Sequence, residues 1–171
     1  MCEVVSSNGG RGNVARATIV VVAPPTLDKI LGAAAFPINT TTNLNFLAKN
    51  TNPIPITVNF SDTLPAGLVI ANPSGAGSNC GATVTAVPLS GLITVTASLP
   101  ANGDCQVALR VLGTTPGVKN NVSSTITSPQ VGTGNFATAS TIVVLPPTIS
   151  KSIRRRRASA QRCHRSYLQH W

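Results

Sequence analysis

Residues 12–29 read GNVARATIVVVAPPTLDK, and residues 134–151 read GNFATASTIVVLPPTISK. Gly, Asn, an apolar strand, a Pro-Pro pair and a closing Lys recur in register, 122 residues apart. A fixed internal period is the mark of a tandem array. The chain therefore divides into the remnant of a preceding repeat at 1–23, one complete repeat at 24–145 whose sandwich unit runs with its second Pro-Pro junction to 151, and a basic tail at 152–171. A period of 122 residues lies at the usual size for a self-sufficient core.

Composition points to β structure. Thr, Val, Ile, Asn, Gly and Pro are dense and Glu occurs once, which leaves few strong helix formers apart from Ala and Leu. Outward from the repeated stretch the chain alternates. Residues 41–49 (TTNLNFLAK) place Leu44, Phe46 and Ala48 on one face, and 54–60 do the same with Ile54, Ile56, Val58 and Phe60. Further short strands are expected at 26–31, 68–71, 83–87, 92–97, 106–112, 118–126 and 136–145, separated by Gly, Pro and Asn turns, with 32–37 a helical turn or a loop. About nine such strands read as an all-β, immunoglobulin-like antiparallel sandwich; a closed barrel is the weaker alternative. Val14 to Ala23 would be the last strand of a preceding repeat, without its sheet.

The net charge of +9 resembles a nucleic-acid signal until it is located. Residues 152–171 hold six of the 13 basic residues and no acid, so 1–151 carry seven basic and four acidic residues, or +3. A fold so weakly charged makes no demand for a polyanion, and no specific nucleic-acid partner is expected. The longest apolar runs are too short to span a bilayer. No secretory signal opens the sequence, and any such signal is expected upstream, with the chain starting inside an array.

The tail, IRRRRASAQRCHRSYLQHW at 153–171, could suggest anion binding through its arginines or a metal at Cys163, His164 and His170. Its possible codons, read one nucleotide later, permit FGAAALPLNAVTDLTF, which aligns without a gap to LGAAAFPINTTTNLNF at 31–46 at the same 122-residue offset. The tail is therefore read as the frameshifted, disordered start of a further repeat.

Chemistry is thinly provided. Before His164 there is no histidine to serve a nucleophile, and Glu3, Asp28, Asp62 and Asp104 are spread along the chain rather than paired. No enzyme activity, cofactor or metal is expected. Asp62, in a turn-like stretch, is expected to cap its own backbone. Cys80 and Cys105 are expected to form a disulfide closing a loop of 24 intervening residues, worth roughly 3 kcal/mol; two free thiols are the alternative. Cys2, whose counterpart 122 residues on is Ser124, is expected to be unpaired. One reactive possibility is an internal amide between Lys29 and Asn135 with Asp62 as the acid, since Lys29 and Asn135 recur as Lys151 and Asn13. The alternative makes Lys29 a solvated strand end and Asn135 a turn residue.

The stretches TLDKILGAAAFPINTTTNLNF at 26–46, DTLPAGL at 62–68, GTTPGVKNN at 113–121 and VGTGNFATA at 131–139 are similar to bacterial tandem domains of unknown function, of the eleven-type kind and its relatives, found in long secreted or outer-surface proteins. The resemblance implies an immunoglobulin-like sandwich in a surface-exposed array, with neighbouring repeats as its partners and no recorded chemistry. The expected function is a structural spacer in the stalk of a secreted or cell-surface protein. The alternative is an adhesin-type module that holds a surface or matrix ligand through loops 72–79, 88–91 and 127–133, although these lack aromatic anchors.

Overall fold

Period-two alternation fixes which side chains are buried, and the computed structural model, which describes residues 2–152, is β structure without helix across those residues. In chain order the strands are β1 (Cys2–Ser6), β2 (Gly10–Ala15), β3 (Thr26–Leu31), β4 (Ala35–Pro37), β5 (Thr41–Lys49), β6 (Ile56–Thr63), β7 (Leu68–Ile70), β8 (Gly77–Ser78), β9 (Thr83–Ala86), β10 (Leu92–Leu99), β11 (Asp104–Gly113), β12 (Gly117–Val122), β13 (Thr127–Ser128), β14 (Gly132–Thr133) and β15 (Thr138–Val144). One sheet has the order β3-β5-β11-β7, with β8 also on β11, and a second has the order β14-β13-β6-β10-β9. A third, β12-β15-β4, meets the second through the Asp62–Ser123 bridge.

The first two sheets close on each other as the expected immunoglobulin-like sandwich. Leu44 and Phe46 of β5 and Val107, Leu109 and Val111 of β11 face Ile56 and Val58 of β6 and Ile93, Val95 and Leu99 of β10, all buried in one cluster. The long antiparallel pairs β5–β11 and β6–β10 keep an unbroken register, so each inward residue on one strand meets an inward residue on the next.

Several local expectations are revised. Residues 35–37 are neither helix nor loop. The chain leaves β3, hops at Gly32 and re-enters as β4, which runs parallel to β15 with Ile142 opposite Ala35. The first strand is thereby shared between two sheets. β6 begins at Ile56 rather than Ile54 and continues through Asp62, because the alternation of Ile56, Val58 and Phe60 carries on one step further. The expected strand at 118–126 stops at Val122, where the chain turns to form β13 in the second sheet.

The N-terminal segment is also revised. β2 covers Gly10–Ala15 and pairs with β1, while residues 16–25 lie in no strand. The β1–β2 pairs Val5–Arg11 and Ser6–Gly10 are, after adding 122, the β13–β14 pairs Thr127–Thr133 and Ser128–Gly132. Gly10 and Gly132 both take a positive φ, of 74° and 89°, which glycine adopts without strain. Val21 is 89% exposed, whereas its counterpart Val143, seated in β15 between β12 and β4, is 1% exposed.

Replacing the fully buried Ile93 with Ala should lower unfolding free energy in urea by about 2–5 kcal/mol, and the exposed Val118→Ala should stay within about 0.5 kcal/mol. Comparable losses would show that the second sheet does not face the core as described.

Candidate functional site

The apolar interior is interrupted in one region by polar side chains that alternation directs inward. On β3 the inward positions are Leu27 and Lys29; on β6 the inward series ends at Asp62; on β12 the inward positions are Lys119 and Asn121. Lys29 Nζ lies 3.0 Å from Asp62 Oδ1, and both side chains are wholly inaccessible to solvent. Asn121 Nδ2 donates to the other carboxylate oxygen, Asp62 Oδ2, at 2.8 Å. One carboxyl group thus spans an amine and an amide.

The surroundings sharpen this arrangement. The Phe46 ring centroid is 5.7 Å from Lys29 Nζ, and Phe60 packs on Phe46 with centroids 5.2 Å apart. Burial among these groups pushes the Lys29 pKa below its ordinary value, against the opposing hydrogen bond and charge of Asp62. Asn121 Oδ1 is buried without a hydrogen-bond partner, which is uncommon enough to require a reason. Lys119 is served separately, donating to the Ala66 carbonyl and Thr115 Oγ1 at 3.0 and 2.9 Å.

Two readings of Asp62 and Lys29 are thereby corrected. Asp62 is a buried strand residue rather than a turn cap, and Lys29 is not a solvated strand end. Lys29 and Asp62 are brought together as the sequence suggested, but the amide beside them is Asn121 and not Asn135. Asn135 instead clasps the start of β3: the Leu27 N–H donates to Asn135 Oδ1 at 2.9 Å, and Asn135 Nδ2 donates to the Leu27 carbonyl at 2.8 Å. A β-carbon at the preceding Gly134 would collide with the Pro25 carbonyl, so the recurring Gly-Asn pair is a device for holding the entering chain. Asn52 does the same four residues earlier, its side chain bonded to both the N–H and the carbonyl of Ala23 at 2.7 and 2.9 Å. Sequence reading missed Asn52 because an Asn-Thr-Asn-Pro run resembles any turn.

Cys80 and Cys105 are joined in a disulfide, with Cα atoms 5.3 Å apart. It ties the segment after β8 to the second residue of β11. Of the loops considered for ligand binding, 72–79 and 127–133 are partly structured as β8 and the β13–β14 hairpin, leaving 88–91 as a plain connection. A surface groove runs past Asp28, Lys29, Ile30, Asn45, Gln106 and Phe136. Among the described residues no three His, Cys, Asp or Glu side chains converge as metal ligands, and no helix is long and apolar enough to cross a membrane. Cys163, His164 and His170 lie outside the described residues.

A model of a domain of unknown function, DUF7933, matches residues 25–143. The chain belongs to the DUF7933 family. Its matched stretch coincides with the sandwich and includes Lys29, Asp62 and Asn121. The family is an uncharacterised one, in keeping with the resemblance to domains of unknown function; the eleven-type assignment is finer than this match. No match is found among curated protein sequences. Solved structures of similar fold include the bacterial hydrophobin BslA (17% identity, 75% of this chain and 99% of that one, TM-score 0.50). They also include a non-cellulosomal cohesin from the archaeon Archaeoglobus fulgidus (12% identity, 69% and 91%, TM-score 0.50). A third is a chain of the CaDoc0917–CaCohA2 complex (10% identity, 70% and 100%, TM-score 0.52). At these identities the likeness is one of fold.

Leaving one member of a buried ion pair without its partner costs about 3–5 kcal/mol, so Asp62→Ala should lower stability by that much in chemical denaturation. The Lys49–Asp28 pair, whose side chains are 45% and 59% exposed, is screened by solvent; Asp28→Ala should cost no more than about 1 kcal/mol. Equal effects would place Asp62 in a solvated setting.

Proposed function

We propose that this DUF7933 chain is a spacer repeat, akin to the eleven-type domains, from the stalk of a secreted or cell-surface bacterial protein, with neighbouring repeats as its structural partners and no catalysis of its own. The observation that carries this reading is the hairpin β1–β2, which has the register of β13–β14 shifted by 122 residues. Ile149 agrees with it. It is 97% exposed, whereas its counterpart Leu27 is 1% exposed inside a finished sandwich. The disulfide favours an oxidising, extracellular setting. Residues 152–171 are read with it as a frameshifted fragment of a further repeat, whose Arg run adheres to polyanions through charge alone.

A binding role is the second reading, and the outer face of the third sheet favours it. Val118 and Ile142 stand opposite each other on β12 and β15 and are 63% and 44% exposed, beside Val122 and Val144. The similar fold in the CaDoc0917–CaCohA2 complex belongs to a protein engaged by a partner.

An array of glycans and matrix proteins probed with residues 24–151 separates the two. A spacer gives no saturable signal at any spot, and saturable binding abolished by Val118→Asp with Ile142→Asp would replace the spacer reading with an adhesin-type one.

A further inference from the structure

We propose that Lys29 and Asn121 become joined by an intramolecular amide bond, with Asp62 carrying the protons, so that strands β3 and β12 are covalently tied across the sandwich.

Asp62 gathers the reacting groups. The nucleophile, Lys29 Nζ, and the leaving nitrogen, Asn121 Nδ2, touch the two oxygens of one carboxyl group at 3.0 and 2.8 Å. The side chains of Lys29 and Asp62 are sealed from solvent and Asn121, which holds the acyl carbon, is buried, so water is kept from competing for it. Holding amine and amide against one carboxyl group replaces an encounter in solution with a fixed approach.

The step balances within these three side chains. A proton passes from the Lys29 ammonium to Asp62, giving a neutral amine and a neutral acid. The Nζ lone pair attacks Asn121 Cγ and forms the Nζ–Cγ bond. Asp62 gives its proton to Nδ2 and takes one from Nζ in its place, the Cγ–Nδ2 bond breaks, and ammonia leaves, so that Asp62 ends as the neutral acid. No oxidant, metal or co-reactant is consumed. The product amide N–H can donate to one oxygen of Asp62, and its carbonyl, the former Asn121 Oδ1 that now lacks a partner, can accept the one proton that the acid keeps. A buried ion pair and a half-satisfied amide are thus replaced by a neutral and fully paired group.

The test is mass analysis of the full chain purified under native conditions, then denatured and reduced. The expected mass is lower than the sequence mass by one ammonia, and proteolysis should yield a branched peptide in which Lys29 is linked to Asn121 and resists trypsin. The branched peptide decides the matter, because Asn8-Gly9 and Asn102-Gly103 can also lose ammonia by cyclising on their own backbones. Asn121→Ala and Asp62→Asn should restore the full mass at position 29, and Asn135→Ala should leave the linked peptide in place. An unmodified Lys29 peptide in the wild-type chain overturns the proposal whatever the variants do, and a link from Lys29 to Asn135 overturns the assignment to Asn121.

Discussion

A carboxylate and an ammonium group placed where water cannot reach them must be held against each other, and the Lys29–Asp62 pair imposes that constraint on the whole sandwich. Lys29 belongs to the sheet built on β5 and β11, and Asp62 to the sheet built on β6 and β10. Apolar burial presses these sheets together, yet it is tolerant of sliding by a fraction of a side chain. The ion pair is not, because separating its members leaves two uncompensated charges in an apolar layer. Register between the sheets therefore rests on one polar contact inside a core otherwise made of Leu, Ile, Val and Phe.

Much of this was legible in the sequence. The all-β class and the long central strands follow from spacing alone, and the alternation Thr-Leu-Asp-Lys-Ile-Leu at 26–31 already puts Lys29 on the same face as Leu27. Asp62 was hidden by its neighbours, since Asp-Thr-Leu-Pro-Ala-Gly reads as a turn and only the inward run Ile56, Val58, Phe60 shows that the strand continues. Asn121 could not be found that way. In β12 the polarity is reversed, with Lys119 and Asn121 buried while Val118 and Val122 face outward, so a rule that sends apolar residues inward selects the wrong face. Asn135 drew attention because it recurs, and recurrence marks a structural need as readily as a chemical one.

That need is the entry of the chain. Asn52 and Asn135 each grip a main-chain amide and carbonyl, at Ala23 and Leu27, on either side of Pro24-Pro25. Prolines stiffen the joint from within by fixing φ, and the asparagines fasten it from outside. The short parallel pairing of β4 with β15 completes the frame by linking the first and last strands of the unit.

The parallel orientation of β4 and β15 also determines how a strung molecule resists being stretched. Tension entering ahead of β3 and leaving after β15 pulls these two neighbours in opposite directions along their own axes, so that their hydrogen bonds are loaded in shear and must fail together. Antiparallel terminal strands would instead peel apart one bond at a time, at much lower force.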